Sequence, residues 1–286
     1  MNDCKTIAIQ GCLASFHDMA VRKYFSNEEV HLLECVSFEK TCKELCMGNA
    51  DLAMMAIENS ITGSLLPNYA LLQKYSMKVV GEEYLHIKQN LMVLPGQRIS
   101  DIKQVRSHPI ALLQCSEYLE AHSHWRAIET FDTAGSAREI SDQKRYGVAA
   151  IAGTMAARTY GMEILAEEIE NLKENSTRFL VLALEEKELG EADKASICFQ
   201  LQSRPGSLAG VLDIFRQNFI NLTKIQSVPI PGKPYQYIFH IDVEWAGNGA
   251  LSNALQQLKR LTEKLDVFGR YKKGNKVINF DEEQAA

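Results

Sequence analysis

The sequence contains no long apolar run and no secretory signal. No stretch approaches the roughly 18 consecutive apolar residues that span a bilayer. The N-terminal residues MNDCKTI lack the apolar core of a signal peptide. No block of five or more like charges occurs, and the formal net charge is −5. We therefore expect neither a membrane nor a nucleic-acid partner, since the latter usually requires a basic domain face.

The sequence also lacks the pattern of a disulfide framework. Its 7 cysteines are odd in number and widely spaced, which predicts a reducing, cytoplasmic compartment. Cys42 and Cys46 lie one helical turn apart, but no further Cys or His lies nearby to complete a metal site. We interpret both as ordinary helix residues and expect no metal ion and no organic cofactor.

The length and the alternation of apolar runs predict more than one α/β unit. The chain has 286 residues, which exceeds one compact core of usual size. Predicted strands and helices alternate along the first 185 residues: strands at 6–10, 31–36, 51–56, 90–94, 146–152 and 176–182, and helices at 15–25, 37–47 and 110–121. Two α/β lobes with strands crossing between them would resemble a type-2 periplasmic-binding-protein arrangement.

A second pattern begins after a charged segment. The predicted elements are strand 195–202, helix 206–218, strand 221–229, strand 235–243, helix 250–261 and strand 265–271. This β-α-β-β-α-β order is the ferredoxin-like split motif. The segment Pro231-Gly232-Lys233-Pro234 is the predicted hairpin between the two middle strands.

Four segments of the first 185 residues resemble prephenate dehydratases, in the order and spacing of that family. They are Gly11–His17, Ile57-Glu58-Asn59-Ser60 with Gly63, Ser107-His108-Pro109 with Gln114, and Asn175-Ser176-Thr177-Arg178-Phe179. The last 90 residues resemble an ACT domain, an amino-acid-sensing module, at Pro205-Gly206-Ser207-Leu208 and Asn221–Ile225.

The resemblance implies a domain organisation. We expect a catalytic region at 1–185, with lobe 1 at about 1–84 plus 165–185 and lobe 2 at about 85–164. A linker at 186–194, an ACT domain at 195–276 and a tail at 277–286 follow.

Some positions depart from the family pattern. The first turn reads Gly11-Cys12-Leu13-Ala14 where members often have Gly-Pro-x-Gly, and Ala56 and Ile110 replace an expected proline and glutamine. In the ACT-like part, Gln226-Ser227-Val228-Pro229 stands where the family has Glu-Ser-Arg-Pro, which removes both charges.

The resemblance implies that prephenate is converted to phenylpyruvate, carbon dioxide and water, a late step of L-phenylalanine biosynthesis. The reaction needs a hydrogen-bond donor for a poor hydroxide leaving group, and we predict that Thr177 is this donor. The alternative is that Thr177 is only a β-favouring residue at a strand start.

Arg178 is predicted to bind a substrate carboxylate, since its planar fork matches two oxygens. We favour the pyruvyl carboxylate, because an ion pair to the departing ring carboxylate would hold charge that must flow into the ring. The ring carboxylate is then expected in an apolar pocket near Phe16 or Phe179. The alternative for Arg178 is a structural ion pair with an acid of the linker.

The remaining site predictions concern neutral groups. Asn59, Ser60, Ser107 and Gln114 are expected to orient the substrate, with Ser15 nearby in the first turn. Thr133 and Ala134 begin a helix and would offer backbone N–H groups to a carboxylate. His108 is either a general acid or a residue that organises its loop, and Glu58 is given a structural role because a dianionic substrate would repel it.

For the ACT-like part we predict that L-phenylalanine is an effector. The residues assigned to its site are Gly206, Ser207, Leu208, Asn221, Gln226 and Ser227. Gly206 would allow close approach to a bound amino acid, or it serves only the turn. A homodimer or homotetramer is expected, because ACT domains usually pair.

Two other functions remain open from the sequence. Arogenate, the aminated relative of prephenate, is the nearest alternative substrate, and an extra acid near the side-chain pocket would favour it. A non-enzymatic amino-acid sensor is the second alternative, which the presence of Thr177, Asn59 and Gln114 argues against. A fused chorismate mutase is not expected, since the catalytic region starts almost at Met1.

Overall fold

The computed structural model describes residues 4–186, 192–230, 232–247 and 249–275. The chain forms two compact units: unit 1 comprises described residues 4–63 and 83–179, and unit 2 comprises 64–82 and 180–275. This division differs from the domain boundaries predicted above, which stay a prediction. The predicted tail, Pro231 of the predicted hairpin and most of the predicted linker lie outside the described residues.

Fifteen strands and nine α-helices occur in the described parts of the chain. The strands are β1 (Lys5–Gln10), β2 (Val30–Cys35), β3 (Leu52–Asn59), β4 (Gly63–Ser64), β5 (Lys78–His86), β6 (Asn90–Val93), β7 (Gln104–Ser107), β8 (Arg126–Glu129), β9 (Val148–Ala152), β10 (Glu163–Ala166), β11 (Ser176–Ala183), β12 (Lys194–Gln200), β13 (Asn221–Pro229), β14 (Tyr237–Glu244) and β15 (Lys264–Tyr271). The helices are α1 (Phe16–Tyr24), α2 (Phe38–Cys46), α3 (Leu66–Lys74), α4 (Pro109–Gln114), α5 (Ser116–Glu120), α6 (Thr133–Asp142), α7 (Thr154–Tyr160), α8 (Ser207–Gln217) and α9 (Ala250–Leu258).

The first sheet has the strand order β2-β1-β3-β11-β5, and β4 pairs with β3. β1 is parallel to both β2 and β3. Six consecutive residues of β3, from Leu52 to Ile57, are buried, as expected for a strand covered on both faces. Ser15 and Ser37 cap α1 and α2 with their side-chain oxygens, which confirms the helix starts predicted at these residues.

The second sheet has the order β10-β6-β9-β7-β8. β7 is parallel to β8 and β9, whereas β6 is antiparallel to β9 and β10. The helix predicted at 110–121 was wrong as one continuous element, because the chain forms α4 and α5 with a break at Cys115. Cys115 has φ −110°, outside the helical range, although its N–H still closes the last turn of α4.

Unit 2 contains the third sheet, which is antiparallel with the order β13-β14-β12-β15. Together with α8 and α9 it realises the predicted β-α-β-β-α-β order. Its buried core residues come mainly from both helices and from the strands β12 and β14, including Phe199, Phe215, Val243 and Leu258. This order and strand arrangement are those of a ferredoxin-like fold.

Unit 2 also contains α3 and the first part of β5, two elements that the sequence pattern did not predict. Tyr69 of α3 lies against the ring of His240 in β14, with 4.8 Å between ring centroids. Lys194 at the start of β12 donates to Glu82 of β5 at 2.9 Å, and both side chains are buried. Gly269 of β15 faces the backbone of Val79 so closely that a Cβ atom would lie 1.9 Å from its carbonyl oxygen.

None of the described helices is both long and apolar enough to cross a membrane.

Candidate active site

The end of β3 and the start of β11 meet through Asn59 and Thr177. Asn59 is the last residue of β3, and its Nδ2 atom donates to Oγ1 of Thr177 at 3.0 Å. The same Nδ2 atom lies 2.7 Å from Asn175 Oδ1 and 3.1 Å from the carbonyl oxygen of Ser176. Thr177 Oγ1 therefore acts as an acceptor here, and the described residues offer no acceptor for its own proton.

Ser60 ties the same two segments together. Its Oγ donates to the backbone carbonyl of Glu174 and accepts the N–H of Ser176, both at 2.9 Å. The structure therefore brings three predicted site residues, Asn59, Ser60 and Thr177, into one hydrogen-bonded group. Their roles in binding or catalysis stay predictions.

Gln114 joins this group through a residue that the sequence analysis did not select. Asn175 donates from Nδ2 to Oε1 of Gln114 at 3.1 Å, and its own Oδ1 accepts from Asn59. Asn175 is completely buried and Gln114 is nearly so. Asn175 opens the Asn-Ser-Thr-Arg-Phe segment on which the resemblance partly depended, and this was the available signal.

Arg178 forms an ion pair with Glu58. The Arg178 guanidinium nitrogen Nη1 lies 3.9 Å from Glu58 Oε2, which is beyond hydrogen-bond distance. Successive side chains of a strand point to opposite faces of the sheet, so the side chains of Thr177 and Arg178 lie on opposite faces at β11. A ligand that reaches both must lie across the end of the strand. The substrate-binding role of Arg178 stays a prediction.

His108 caps α4 and follows Ser107 at the end of β7. The N–H of Ile110 donates to His108 Nδ1 at 3.2 Å, so a neutral ring carries its proton on Nε2. Burial lowers the pKa of His108, although Asp132 and Glu129 act in the opposite direction. This geometry supports a role in organising the loop and leaves Nε2–H as a donor.

Ser107 is completely buried and donates from Oγ to the carbonyl oxygen of Ile151 at 2.6 Å. This bond joins β7 to the neighbouring strand β9. The contact of Ser107 with substrate stays a prediction.

The first residues of α6 present free backbone N–H groups. Asp132 precedes this helix but makes no side-chain cap, and the described residues include no acceptor for the N–H groups of Thr133 and Ala134. The Asp132 carboxylate instead accepts from the backbone N–H and the thiol of Cys12, both at 3.1 Å. A ten-residue helix with an uncapped N-terminus suits an anionic group.

The turn at Gly11 approaches Asp132 closely. Gly11 has φ +98°, and a Cβ atom there would lie 3.2 Å from Asp132 Oδ2. Burial, reinforced by Asp132, raises the pKa of the Cys12 thiol to about 12. Tyr160 supports the same turn by donating to the carbonyl oxygen of Leu13 at 2.6 Å. Neither Asp132 nor Tyr160 was selected from the sequence, because no local pattern links them to the first turn.

The predicted apolar groups lie on α1 and β11. Phe16 is half-buried and faces Gly153, where a Cβ atom would lie 3.1 Å from its ring. Phe179 is buried and its ring centroid lies 5.0 Å from that of His17. Ser15 serves as the cap of α1.

Burial lowers the pKa of His17 to about 3, so this ring is neutral and accepts the N–H of Ala56.

The predicted effector residues belong to unit 2. Gly206 has φ +83° at the start of α8, and no atom lies within 4 Å of the position of a Cβ. This glycine is therefore required by the backbone conformation and not by a neighbouring protein atom. Ser207 and Leu208 are half-buried in the first turn of α8, and Asn221, Gln226 and Ser227 lie on β13, at the edge of the third sheet.

Within the described residues, no cluster of three or more His, Cys, Asp or Glu side chains has the arrangement of a metal site. Cys42 is buried and Cys46 is exposed, both in α2.

Comparison with known proteins places these features in one family. A family model described as prephenate dehydratase matches residues 7–187. A curated relative, arogenate dehydratase/prephenate dehydratase 2 of Arabidopsis thaliana, is 34% identical over 278 residues, covering 93% of this chain and 72% of the relative. The chain belongs to the prephenate dehydratase family.

Solved structures agree over nearly the whole length. Prephenate dehydratase from Arthrobacter aurescens in complex with L-Phe is 26% identical with a TM-score of 0.79, covering 93% of this chain and 90% of that one. A protein described as GqqA, a novel type of quorum quenching acylase, is 28% identical with a TM-score of 0.84, covering 94% of this chain and 98% of that one.

Proposed function

We propose that the protein catalyses the decarboxylating dehydration of prephenate to phenylpyruvate in L-phenylalanine biosynthesis. The observation that carries this proposal is the hydrogen bond from Asn59 to Thr177 Oγ1. Because Thr177 accepts this bond, its proton is available to a ligand.

The chemistry needs one well-placed donor. The carbon–oxygen bond of the ring hydroxyl breaks, the ring carboxylate leaves as carbon dioxide, and the electrons of that carbon–carbon bond enter the ring. The departing hydroxide takes one proton from the solvent and becomes water, so atoms and charges balance. Thr177 is too weak an acid to transfer its proton fully, and it acts by stabilising charge that develops only in the transition state.

Both carboxylates of prephenate need partners. We assign the pyruvyl carboxylate to Arg178, with the substrate lying across the end of β11. The substrate also meets neutral hydrogen-bond donors. These are the uncapped N–H groups of Thr133 and Ala134 and the side-chain amide of Gln114. The ring carboxylate belongs in the drier surroundings of Phe16 and Phe179, because release of carbon dioxide requires its charge to move into the ring.

The test is the turnover of purified protein with prephenate, followed by ultraviolet absorbance of phenylpyruvate. The proposal predicts multiple turnovers without added metal or organic cofactor. Protein that binds prephenate but forms no phenylpyruvate would contradict it and favour the sensor alternative.

Arogenate is a second candidate substrate, supported by one acidic residue. Asp132 precedes Thr133. Its carboxylate could pair with the amino group of arogenate, a group that prephenate, a dianion, lacks. That carboxylate already accepts two hydrogen bonds from Cys12, so we place prephenate first. The ratio of kcat/KM for the two substrates decides between them.

We further propose that residues 195–276 form an ACT domain that senses L-phenylalanine. Its support is the ferredoxin-like order of unit 2, the left-handed Gly206 that opens α8, and the L-Phe complex of the related A. aurescens enzyme. Inhibition is expected to be weak, because Gln226 and Val228 replace two charged residues of the family motif. Calorimetry that detects no binding of L-phenylalanine would contradict this part of the proposal.

Pairing of two ACT domains would make the protein a homodimer or homotetramer, and sedimentation equilibrium distinguishes these states. The type-2 periplasmic-binding-protein likeness of the two sheets and the cytoplasmic location likewise stay predictions.

A further inference from the structure

Three side-chain amides connect Gln114 to Thr177, and two backbone N–H groups fix their direction. The N–H groups of Ile61 and Thr62 both donate to Asn59 Oδ1 at 3.0 Å. A backbone N–H only donates, so the atom that receives these two bonds must be the oxygen of the amide. The Nδ2 atom of Asn59 therefore has to face the other way.

The direction of the second and third amides follows from the first. Asn59 Nδ2 donates, so Asn175 must present its oxygen, and Oδ1 lies 2.7 Å away. Asn175 Nδ2 then faces Gln114, which must present Oε1, and this distance is 3.1 Å. Gln89 Nε2 approaches the same oxygen at 3.5 Å, which agrees with this direction.

Both ends of this amide chain present donors. At one end, Thr177 accepts from Asn59 and keeps its proton for a ligand. At the other end, Gln114 uses its oxygen internally, and among the described residues Nε2 has no acceptor. A dianionic substrate needs donors, whereas a reversed Gln114 amide would turn its oxygen towards a carboxylate.

We infer that Asn175 is a positioning residue that holds the Gln114 amide and, through Asn59, the Thr177 hydroxyl as hydrogen-bond donors. Asn175 is 0% exposed, so it acts through these neighbours and not by touching substrate. The identity of the ligand rests on the proposed function, but the direction of the amides does not.

The substitution Asn175→Asp tests this inference because it replaces the donor nitrogen by an oxygen with almost no change in shape. An aspartate still accepts from Asn59, but it repels Gln114 Oε1. The Gln114 amide should then turn, donate to Asp at position 175, and expose its oxygen. Asn171→Asp is the matched control: Asn171 lies on the same connecting segment, and among the described residues its Nδ2 donates only to Ser116 Oγ.

The first readout is hydrogen exchange of the Gln114 side-chain amide, observed by NMR and identified by its loss in Gln114→Leu. In the wild type and in Asn171→Asp this amide should exchange rapidly. In Asn175→Asp it should become protected, because it now donates to a buried carboxylate. Unchanged rapid exchange in folded Asn175→Asp would overturn the inference.

The second readout is steady-state turnover of prephenate. We expect Asn175→Asp to raise KM at least tenfold with a smaller change in kcat, and Asn171→Asp to change neither by more than twofold. Equal kinetic constants for the two folded variants would also overturn the inference. If the wild type itself shows no turnover, the proposed function fails, and the exchange measurement alone decides the inference.

A third variant covers the case in which Asn175→Asp does not fold. Asn175→Ser removes Nδ2 without adding charge, and we expect kcat/KM to fall at least fivefold relative to Asn171→Ser. Equal values for the two serine variants would contradict the role of Asn175.

Discussion

Asn59 donates from Nδ2 to Oγ1 of Thr177 at 3.0 Å, linking residues that are 118 positions apart in the chain. The bond uses a lone pair of the hydroxyl and leaves its proton for a ligand. Catalysis by Thr177 depends on this direction, because a threonine that donated to Asn59 would have no proton to offer to the substrate.

Asn59→Asp reverses this relationship. One carboxylate oxygen still accepts from the N–H groups of Ile61 and Thr62. The other faces Thr177 Oγ1 and accepts a hydrogen bond from its hydroxyl, which then has no proton to offer to the substrate. We expect kcat for prephenate to fall about 100-fold or more, the range seen when a preorganised donor is lost. Stopped-time assays of phenylpyruvate would measure this, with circular dichroism as the check on folding. Retention of kcat within threefold would show that the direction of this bond is unimportant.

Substitutions of Arg178 and of Glu58 distinguish a substrate-binding role of Arg178 from a structural role in the ion pair. If Arg178 binds a substrate carboxylate, Arg178→Gln should raise KM by about tenfold or more, since hydrogen bonds to charged groups contribute about 1.5–3 kcal/mol. Glu58→Gln should leave KM unchanged or lower it, because it removes an acid that competes for the guanidinium. Equal loss of thermal stability in both variants with unchanged KM would instead assign Arg178 to the ion pair.

His17 should make the stability of the protein depend on pH. Its pKa is lowered by burial to about 3, against 6.5 in an unfolded chain, so between these values the unfolded state binds the extra proton. The contribution of neutral His17 is complete above about pH 6.5 and decreases as the pH falls towards 3, by about 1.4 kcal/mol per pH unit.

The variant His17→Gln keeps an acceptor for the Ala56 N–H but does not titrate. Urea unfolding at pH 7, 6, 5 and 4 should show a smaller loss of unfolding free energy in this variant than in the wild type. Parallel curves for the two proteins would contradict the assignment. Because His240, whose pKa burial lowers to about 4, titrates in both proteins, the difference isolates His17.

The buried pair of Lys194 and Glu82 in unit 2 should be costly to break. Lys194→Met leaves the Glu82 carboxylate buried without its ammonium partner, and we expect the unfolding free energy to fall by about 3–5 kcal/mol. Adding Glu82→Gln should recover part of this loss. The exposed pair of Arg216 and Asp213 is the control, since Arg216→Ala should cost less than about 1 kcal/mol. Similar losses at both pairs would contradict the prediction.

Gly206 and Gly210 offer a matched test of the proposed effector site. Residue 206 has a left-handed backbone conformation, which is about 1–2 kcal/mol unfavourable for an alanine. We therefore expect Gly206→Ala to weaken binding of L-phenylalanine about tenfold. Gly210→Ala lies inside α8 with its nearest neighbour 3.7 Å from the added carbon, so it should stabilise the helix and leave binding unchanged. Calorimetry of both variants measures this, and equal affinities would remove Gly206 from the site.

Local signals in the sequence predicted most of the elements correctly. Ser15 and Ser37 cap helices where expected, and the strand predicted at 221–229 has those bounds. The sequence did not predict α3, because only Asn68, Tyr69 and Leu72 are buried there and they do not form an apolar stripe. The break at Cys115 was also missed, since the apolar pattern continues through it.

The site was predictable only in part for a similar reason. Thr177, Asn59 and Gln114 lie in short segments that resemble a family, and the structure joins them in one hydrogen-bonded group. Asp132 has no such segment, and its contact with Cys12 spans 120 positions. Contacts of this kind depend on how the chain folds back on itself, which periodicity does not report.

The most direct test of the central claim compares three proteins in one assay: wild type, Thr177→Val and Thr177→Ser. Ultraviolet absorbance of phenylpyruvate gives kcat for prephenate in each. We predict that Thr177→Val, which removes only the hydroxyl, loses about 100- to 1000-fold in kcat, whereas Thr177→Ser retains most of it. Equal kcat in wild type and Thr177→Val would show that the hydroxyl of Thr177 is not the donor on which the reaction depends.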